Sequence, residues 1–78
     1  EEFLINKQMR HLVTSAIGKL PDAYRVVLLL RDIEERATAE VAEALGITQA
    51  NVKVRLHRAR AALKVLLELQ LRDERLDP

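Results

Sequence analysis

The segment Thr38–Arg60, TAEVAEALGITQANVKVRLHRAR, decides how the rest of the chain is read. Val41, Ala42 and Leu45 recur at three- and four-residue spacing, which predicts a short helix from Thr38 to Leu45. Gly46 follows where a helix end needs a residue of positive φ. Thr48 then stands as the N-cap of a second helix. Helix, tight turn and second helix form the layout of a helix-turn-helix, whose second helix lies in the major groove of DNA. Charge supports this. Gln49 to Lys64 carries five fixed cations (Lys53, Arg55, Arg58, Arg60 and Lys64) and no acid. Asp32 to Glu43 carries five acids against Arg36 alone. The net charge of +1 conceals this separation, and one basic helix on a near-neutral domain gives a directional field.

The faces of the second helix divide its work. At 100° per residue, Val52, Leu56, Ala59, Leu63, Leu66 and Leu67 form a core stripe. Opposite lie Ala50, Val54, His57 and Ala61, flanked by Lys53, Arg58 and Lys64, with Gln49 and Ala50 opening the helix. Lys53, Val54, His57 and Arg58 are therefore the candidates for base edges. Arg55 and Arg60, at the margins of the stripe, reach phosphates or pair with acids of the preceding helix. Val54 is the odd member, because a β-branched apolar residue is mildly unfavourable on an exposed helix face. It suits a thymine methyl group, although isolated exposed valines are also common. Glu40 and Glu43 are expected to be solvated or paired with arginines of the second helix.

Working outward, Ile5, Met9, Leu12, Val13, Ala16, Ile17 and Leu20 predict an amphipathic helix over residues 2–18. Gly18 and Pro21 stop it, and Pro21 with Asp22 suits the first turn of the next helix. That next helix carries Val26 to Leu30 in unbroken apolar succession and is expected to be the central one, packed on all sides. Asp32 to Arg36 is a turn candidate. The expectation is an all-α, four-helix domain over residues 1–72, winged-helix-like but with no sheet. Its helix-turn-helix lies at 38–62, and 73–78 form a frayed tail.

Bulk composition narrows the field further. Seventy-eight residues make one small domain, and the absence of cysteine excludes disulfides and thiolate metal sites. One tyrosine and one phenylalanine offer little stacking surface for single-stranded nucleic acid or an RNA-recognition sheet. The longest apolar run, Val26 to Leu30, is far too short for a bilayer span, and no signal peptide is evident, so a cytoplasmic location is expected. The opening Glu1-Glu2-Phe3, helical in pattern and without an initiator methionine, leads us to expect a piece of a longer protein. No nucleophile, base and orienting group cluster, and there is no glycine-rich phosphate loop. His57 and His11 are too far apart to suggest a paired site. No enzymatic activity, cofactor or metal is expected.

LPDAYRVVLLLRDIE followed by AEVAEALGITQANVKVRLHRARAALK resembles the C-terminal domain, region 4, of extracytoplasmic-function sigma factors in the bacterial sigma-70 family. The resemblance covers about residues 8–68. It rests on Leu20-Pro21, Arg25, Leu30-Arg31-Asp32, Ala42-Glu43, Leu45-Gly46-Ile47 and above all Val52 to Arg60. A generic helix-turn-helix does not require the last of these. The resemblance implies recognition of the −35 promoter element as duplex DNA, docking on the β flap of core RNA polymerase, and control by an anti-sigma factor. Lys53 and Arg58 match family positions that contact DNA. Val54 falls where many relatives carry serine and some valine, and His57 where relatives have His or Phe. The chain departs from the family at Glu35-Arg36-Ala37, where relatives usually read Gly-Leu-Ser. This removes a glycine, an apolar contact and a cap, and leaves Thr38 to cap the helix one residue later. The promoter-melting domain of such proteins has no counterpart in these residues, which by themselves are not expected to initiate transcription.

Two other readings remain in view. The DNA-binding domain of LuxR-type response regulators shares the four-helix plan and a Thr/Asn-Val-Lys segment, but continues with a different pattern from RLHRAR. A protein-interaction module would use Leu63, Leu66, Leu67, Leu69 and Leu71, which cover more than one face of the last helix. These leucines either pack on the first helix or are offered to a partner.

Overall fold

A computed structural model describes residues 7–76, which form four helices in the order α1 (Lys7–Gly18), α2 (Asp22–Leu28), α3 (Thr38–Leu45) and α4 (Gln49–Leu76). A π-helical turn at Leu29–Ile33 extends α2. The start of the first helix expected at residues 2–6 lies outside the described residues. α4 runs through Leu76, into the segment expected to fray. Just before that segment Glu68 and Arg72 stand four apart, acid before base, a spacing that supports a helix. Pro78 lies outside the described residues.

The core forms where the helices cross. Ile17, Leu20, Val27, Leu28, Val41, Ala42, Val52, Leu56 and Ala59 are buried together. Val13, Tyr24, Leu30, Leu45, Ile47, Ala62, Leu63 and Leu66 close around them. Val27, Val41 and Val52 are the largest fully enclosed side chains. Each contributes about 1.5–3 kcal/mol by leaving water. That is a large share of a small domain's stability, about 0.05–0.15 kcal/mol per residue. Ala16, Ala42 and Ala59 are buried where a longer side chain would hold the helices apart.

The central helix is α4, not α2. α1, α2 and α3 all pack against α4, whereas Val26 on α2 and Leu29 at the start of its π-helical extension are each 36% exposed. Only Val27 and Leu28 of the apolar run are fully buried. In so small a domain a seven-residue helix has neighbours for one face, and the remaining apolar side chains stay in water. α4 also sets the shape. Its 28 residues extend for about 42 Å at 1.5 Å per residue, and the molecule measures 46 × 28 × 15 Å along its principal axes.

The joint between α1 and α2 depends on Arg25. Its guanidinium donates to the carbonyl oxygens of Gly18 (3.1 Å) and Leu20 (3.3 Å) and also pairs with Asp22. The final carbonyl of α1, left without a helical partner, and that of Leu20 in the joint thus gain a cationic donor. Pro21 sits one residue before α2, at the N-cap position in an extended conformation.

Candidate nucleic-acid interface

The turn that aims α4 is built from local chemistry. Gly46 adopts φ 69°, ψ 34°, the left-handed conformation that other residues resist. Its N–H donates to the Glu43 carbonyl (3.3 Å), and that of Ile47 reaches back to the Ala42 carbonyl (3.0 Å). These two bonds make a Schellman motif, and half-buried Ile47 packs on the core as the apolar clasp that accompanies it. Thr48 then caps α4, its Oγ1 accepting the Asn51 N–H at 3.0 Å. The bounds of α3, the glycine conformation and the Thr48 cap all match the sequence expectation.

The preceding connector is made differently. The Asp32–Arg36 segment does not turn at once, because the helix continues as a π turn to Ile33, with the Glu34 N–H bonded to the Leu29 carbonyl (2.9 Å). The chain reverses through Glu35, at φ 55°. Glu35 therefore takes the left-handed conformation without being glycine, at a cost of about 1–2 kcal/mol. Thr38 does not cap α3, contrary to expectation. It is the first helical residue, and Ala37 holds the N-cap position. Alanine offers no side-chain acceptor, so only half of a capping box forms, with the Ala37 N–H donating to Glu40 Oε1 at 3.0 Å. Arg31 reinforces the loop by donating from Nη1 to the Arg36 carbonyl at 2.6 Å.

α4 presents the expected faces. Gln49, Ala50, Lys53, Val54, His57 and Arg58 are exposed, Arg55 is half-buried, and Val52, Leu56 and Ala59 point inward. Val54 is 45% exposed in the middle of this cationic face. Beside it a cleft of about 250 Å³ opens between α4 and the start of α3, lined by Arg31, Thr38, Val52, Lys53, Leu56, His57 and Arg60. Three of these seven side chains, Arg31, Lys53 and Arg60, are basic. The positive end of α3 opens on the same space, so the cleft suits an anion.

Arg60 has a partner that sequence reasoning did not find. Its Nε and Nη2 donate to Asp32 Oδ2 (2.9 Å) and Oδ1 (2.6 Å) across 28 residues of sequence. The paired acid belongs to the π turn, not to α3. Glu40 serves the Ala37 N–H instead, and Glu43 is exposed. The hydrogen bond from Arg60, helped by its charge, holds the Asp32 carboxyl below its ordinary value. The same bond pushes the Arg60 guanidinium further up. Asp32, Arg31 and Thr38 are thus the residues missed at this site. The signal was spacing, since Asp32 stands four residues beyond buried Leu28 and Arg31 four beyond buried Val27.

The leucines of α4 divide between the two roles considered for them. Leu63 and Leu66 pack on the core and Leu67 is half-buried, whereas Leu69 and Leu71 face solvent together with Val65. Among the described residues no helix is long and apolar enough to cross a membrane.

Comparison with known proteins bears on this geometry directly. Residues 10–63 match the family Sigma-70, region 4. The ECF RNA polymerase sigma factor SigW of Bacillus subtilis (strain 168) is 38% identical over 73 residues, covering 94% of this chain and 37% of that protein. RNA polymerase sigma factor SigZ of the same organism is 38% identical over 68 residues, 87% of this chain and 39% of that protein. The RNA polymerase sigma-E factor of Streptomyces antibioticus is 41% identical over 66 residues, 85% of this chain and 37% of that protein. The chain thus spans well under half the length of each. The match includes the Schellman turn and the exposed basic face of α4, and by it the chain belongs to the region 4 family of sigma-70 factors, of the extracytoplasmic-function kind.

Proposed function

We propose that this domain recognises the −35 element of bacterial promoters as duplex DNA, in the service of transcription initiation by RNA polymerase. The observation that carries the reading is the exposed face of α4. Lys53, Val54, His57 and Arg58 stand together on a helix whose start is fixed by Gly46 and Thr48, with no acid among them. Inserted in the major groove, Arg58 and Lys53 supply donors for guanine O6 and N7, and Val54 an apolar surface for a thymine methyl group. Gln49 and Ala50, at the start of the helix, approach the groove first. Arg55 and the Arg31–Thr38 cleft receive backbone phosphates, which set register without reading sequence.

The reading assigns no reaction and needs no cofactor. The polymerase β flap and an anti-sigma factor are proposed protein partners, and the exposed apolar side chains support that part. Val26, Leu29 and Ile33 lie on the α2 side, and Val65 and Leu69 on the far half of α4, beyond Lys53 to Arg58 along the helix. Such a function belongs to the bacterial cytoplasm.

Fluorescence anisotropy with duplexes selected from a randomised pool tests the reading. Affinity should be modest and should fall steeply with salt. Arg58→Ala should reduce discrimination between selected and shuffled duplexes by about 1–3 kcal/mol. Lys64→Ala, further along α4, should change all duplexes equally or not at all. Affinity that stays flat as salt is raised counts against the proposal.

A further inference from the structure

We infer that Asp32 is a positioning residue for the DNA-reading helix: by holding Arg60 in a two-bond ion pair it fixes α4 against the end of α2 and keeps that guanidinium off the DNA. This rests on the promoter reading above. The placement follows from helical spacing. Asp32 lies four residues beyond Leu28, and Arg60 four beyond Leu56, and both leucines are buried in the shared core. The pair therefore continues the α2–α4 seam one turn past its apolar part, where the seam meets solvent. The π turn carries Asp32 at this point, and π turns are rare in helices and concentrate at functional sites.

Geometry and energy together distinguish positioning from simple stabilisation. Two guanidinium nitrogens meet the two carboxylate oxygens at 2.9 and 2.6 Å. This fork restricts direction as well as distance, and a lysine ammonium cannot reproduce it. The side chains are nevertheless 30% (Asp32) and 55% (Arg60) exposed, so the pair adds little to stability. Its consequence lies in orientation and charge. Of the five cations between Gln49 and Lys64, Arg60 is neutralised by a fixed partner, which leaves Lys53, Arg55, Arg58 and Lys64 for DNA.

The test compares Asp32→Ala, Arg60→Ala, Arg60→Lys and the exchanged pair Asp32→Arg/Arg60→Asp in the 78-residue chain. Binding is measured to one selected duplex and one shuffled duplex over a range of salt. Asp32→Ala should release Arg60 to a phosphate and steepen the logarithmic salt slope by about one. Discrimination should fall about tenfold, the low end for one misaligned base contact. Arg60→Ala and Arg60→Lys should lose discrimination without a shallower slope, and the exchanged pair should recover part of it. If Arg60→Ala instead weakens both duplexes equally and flattens the slope by about one, while Asp32→Ala discriminates normally, Arg60 is a phosphate contact and the inference is overturned.

A DNA-free readout separates this inference from the promoter reading. Residual dipolar couplings report the angle between α2 and α4. That angle should change in Asp32→Ala and Arg60→Lys and return in the exchanged pair. An unchanged angle overturns the positioning role whatever the DNA data show. Failure of the unmodified chain to bind any duplex would remove the promoter reading and, with it, the DNA-directed part of the inference, leaving only the angle measurement to judge the pair.

Discussion

The two turns that flank α3 solve the same problem by opposite means. After α3, Gly46 supplies the left-handed conformation, Thr48 the cap and Ile47 the apolar clasp. All of this lies within three consecutive residues. Before α3, Glu35 holds a left-handed conformation without being glycine, and Ala37 occupies a cap position without an acceptor. Besides its own Arg36–Glu34 ion pair, that connector depends on side chains reaching in from the flanking helical segments: Arg31 to the Arg36 carbonyl and Glu40 to the Ala37 N–H. A turn encoded by its own residues is fixed locally, whereas a turn held from outside is only as firm as its supports. The turn that aims α4, the helix proposed to read DNA, is the locally encoded one.

The comparison breaks most readily at Gly46. Gly46→Ala meets no neighbouring atom within 4 Å, so its effect is backbone strain alone. A loss of about 1–2 kcal/mol is expected in urea unfolding; an unchanged midpoint would mean that α3 does not need this conformation. Thr48→Ala comes next, with a loss of about 1 kcal/mol from the uncapped start of α4. Increased amide exchange at Asn51 would locate that effect.

On the other side of α3 the expected signs reverse. Ala37→Ser adds the missing cap and should stabilise by about 0.5–1 kcal/mol. Glu35→Gly relieves the left-handed strain but frees the unfolded chain, so its gain should be smaller, about 0.5 kcal/mol. Destabilisation by either would show that the outside supports already make the connector optimal.

The smallest effect concerns pH. Asp32 has a lowered carboxyl pKa in the folded state, so its stabilisation is complete above the unfolded carboxylate value, about 3.9. It is lost as pH falls through the lower folded value. The difference in unfolding free energy between the unmodified chain and Asp32→Asn should therefore be at most about 1 kcal/mol at pH 6. It should vanish at the acid end. A difference that grew on acidification would contradict the pairing.

The same division explains what could be read from the sequence. The limits of α3, the left-handed glycine, the Thr48 cap and the faces of α4 each depend on residues within four positions of one another, and each was legible. The Asp32–Arg60 pair spans 28 residues, and no local pattern encodes which acid an arginine will meet. The π turn was hidden for a related reason, because nothing in Leu29–Ile33 departs from ordinary helix formers apart from Asp32. Val26 and Leu29 misled in the other direction. Their hydrophobicity suggested burial on all sides, but burial depends on how many neighbours a 78-residue chain can supply. Of the candidate DNA residues, Lys53, Val54, His57 and Arg58 share one surface as expected, and Arg60 is drawn away to Asp32.

The length of α4 has a mechanical consequence. No glycine or proline interrupts Gln49–Leu76, so the helix is a stiff rod. Val54 on the basic face and Leu69 on the apolar far half lie 15 residues apart, about 22 Å along the axis. That is about two-thirds of a turn of duplex DNA. Under the proposed function the helix would work as a ruler: a protein gripping Val65 and Leu69 would be indexed in distance and rotation to base pairs met by Val54.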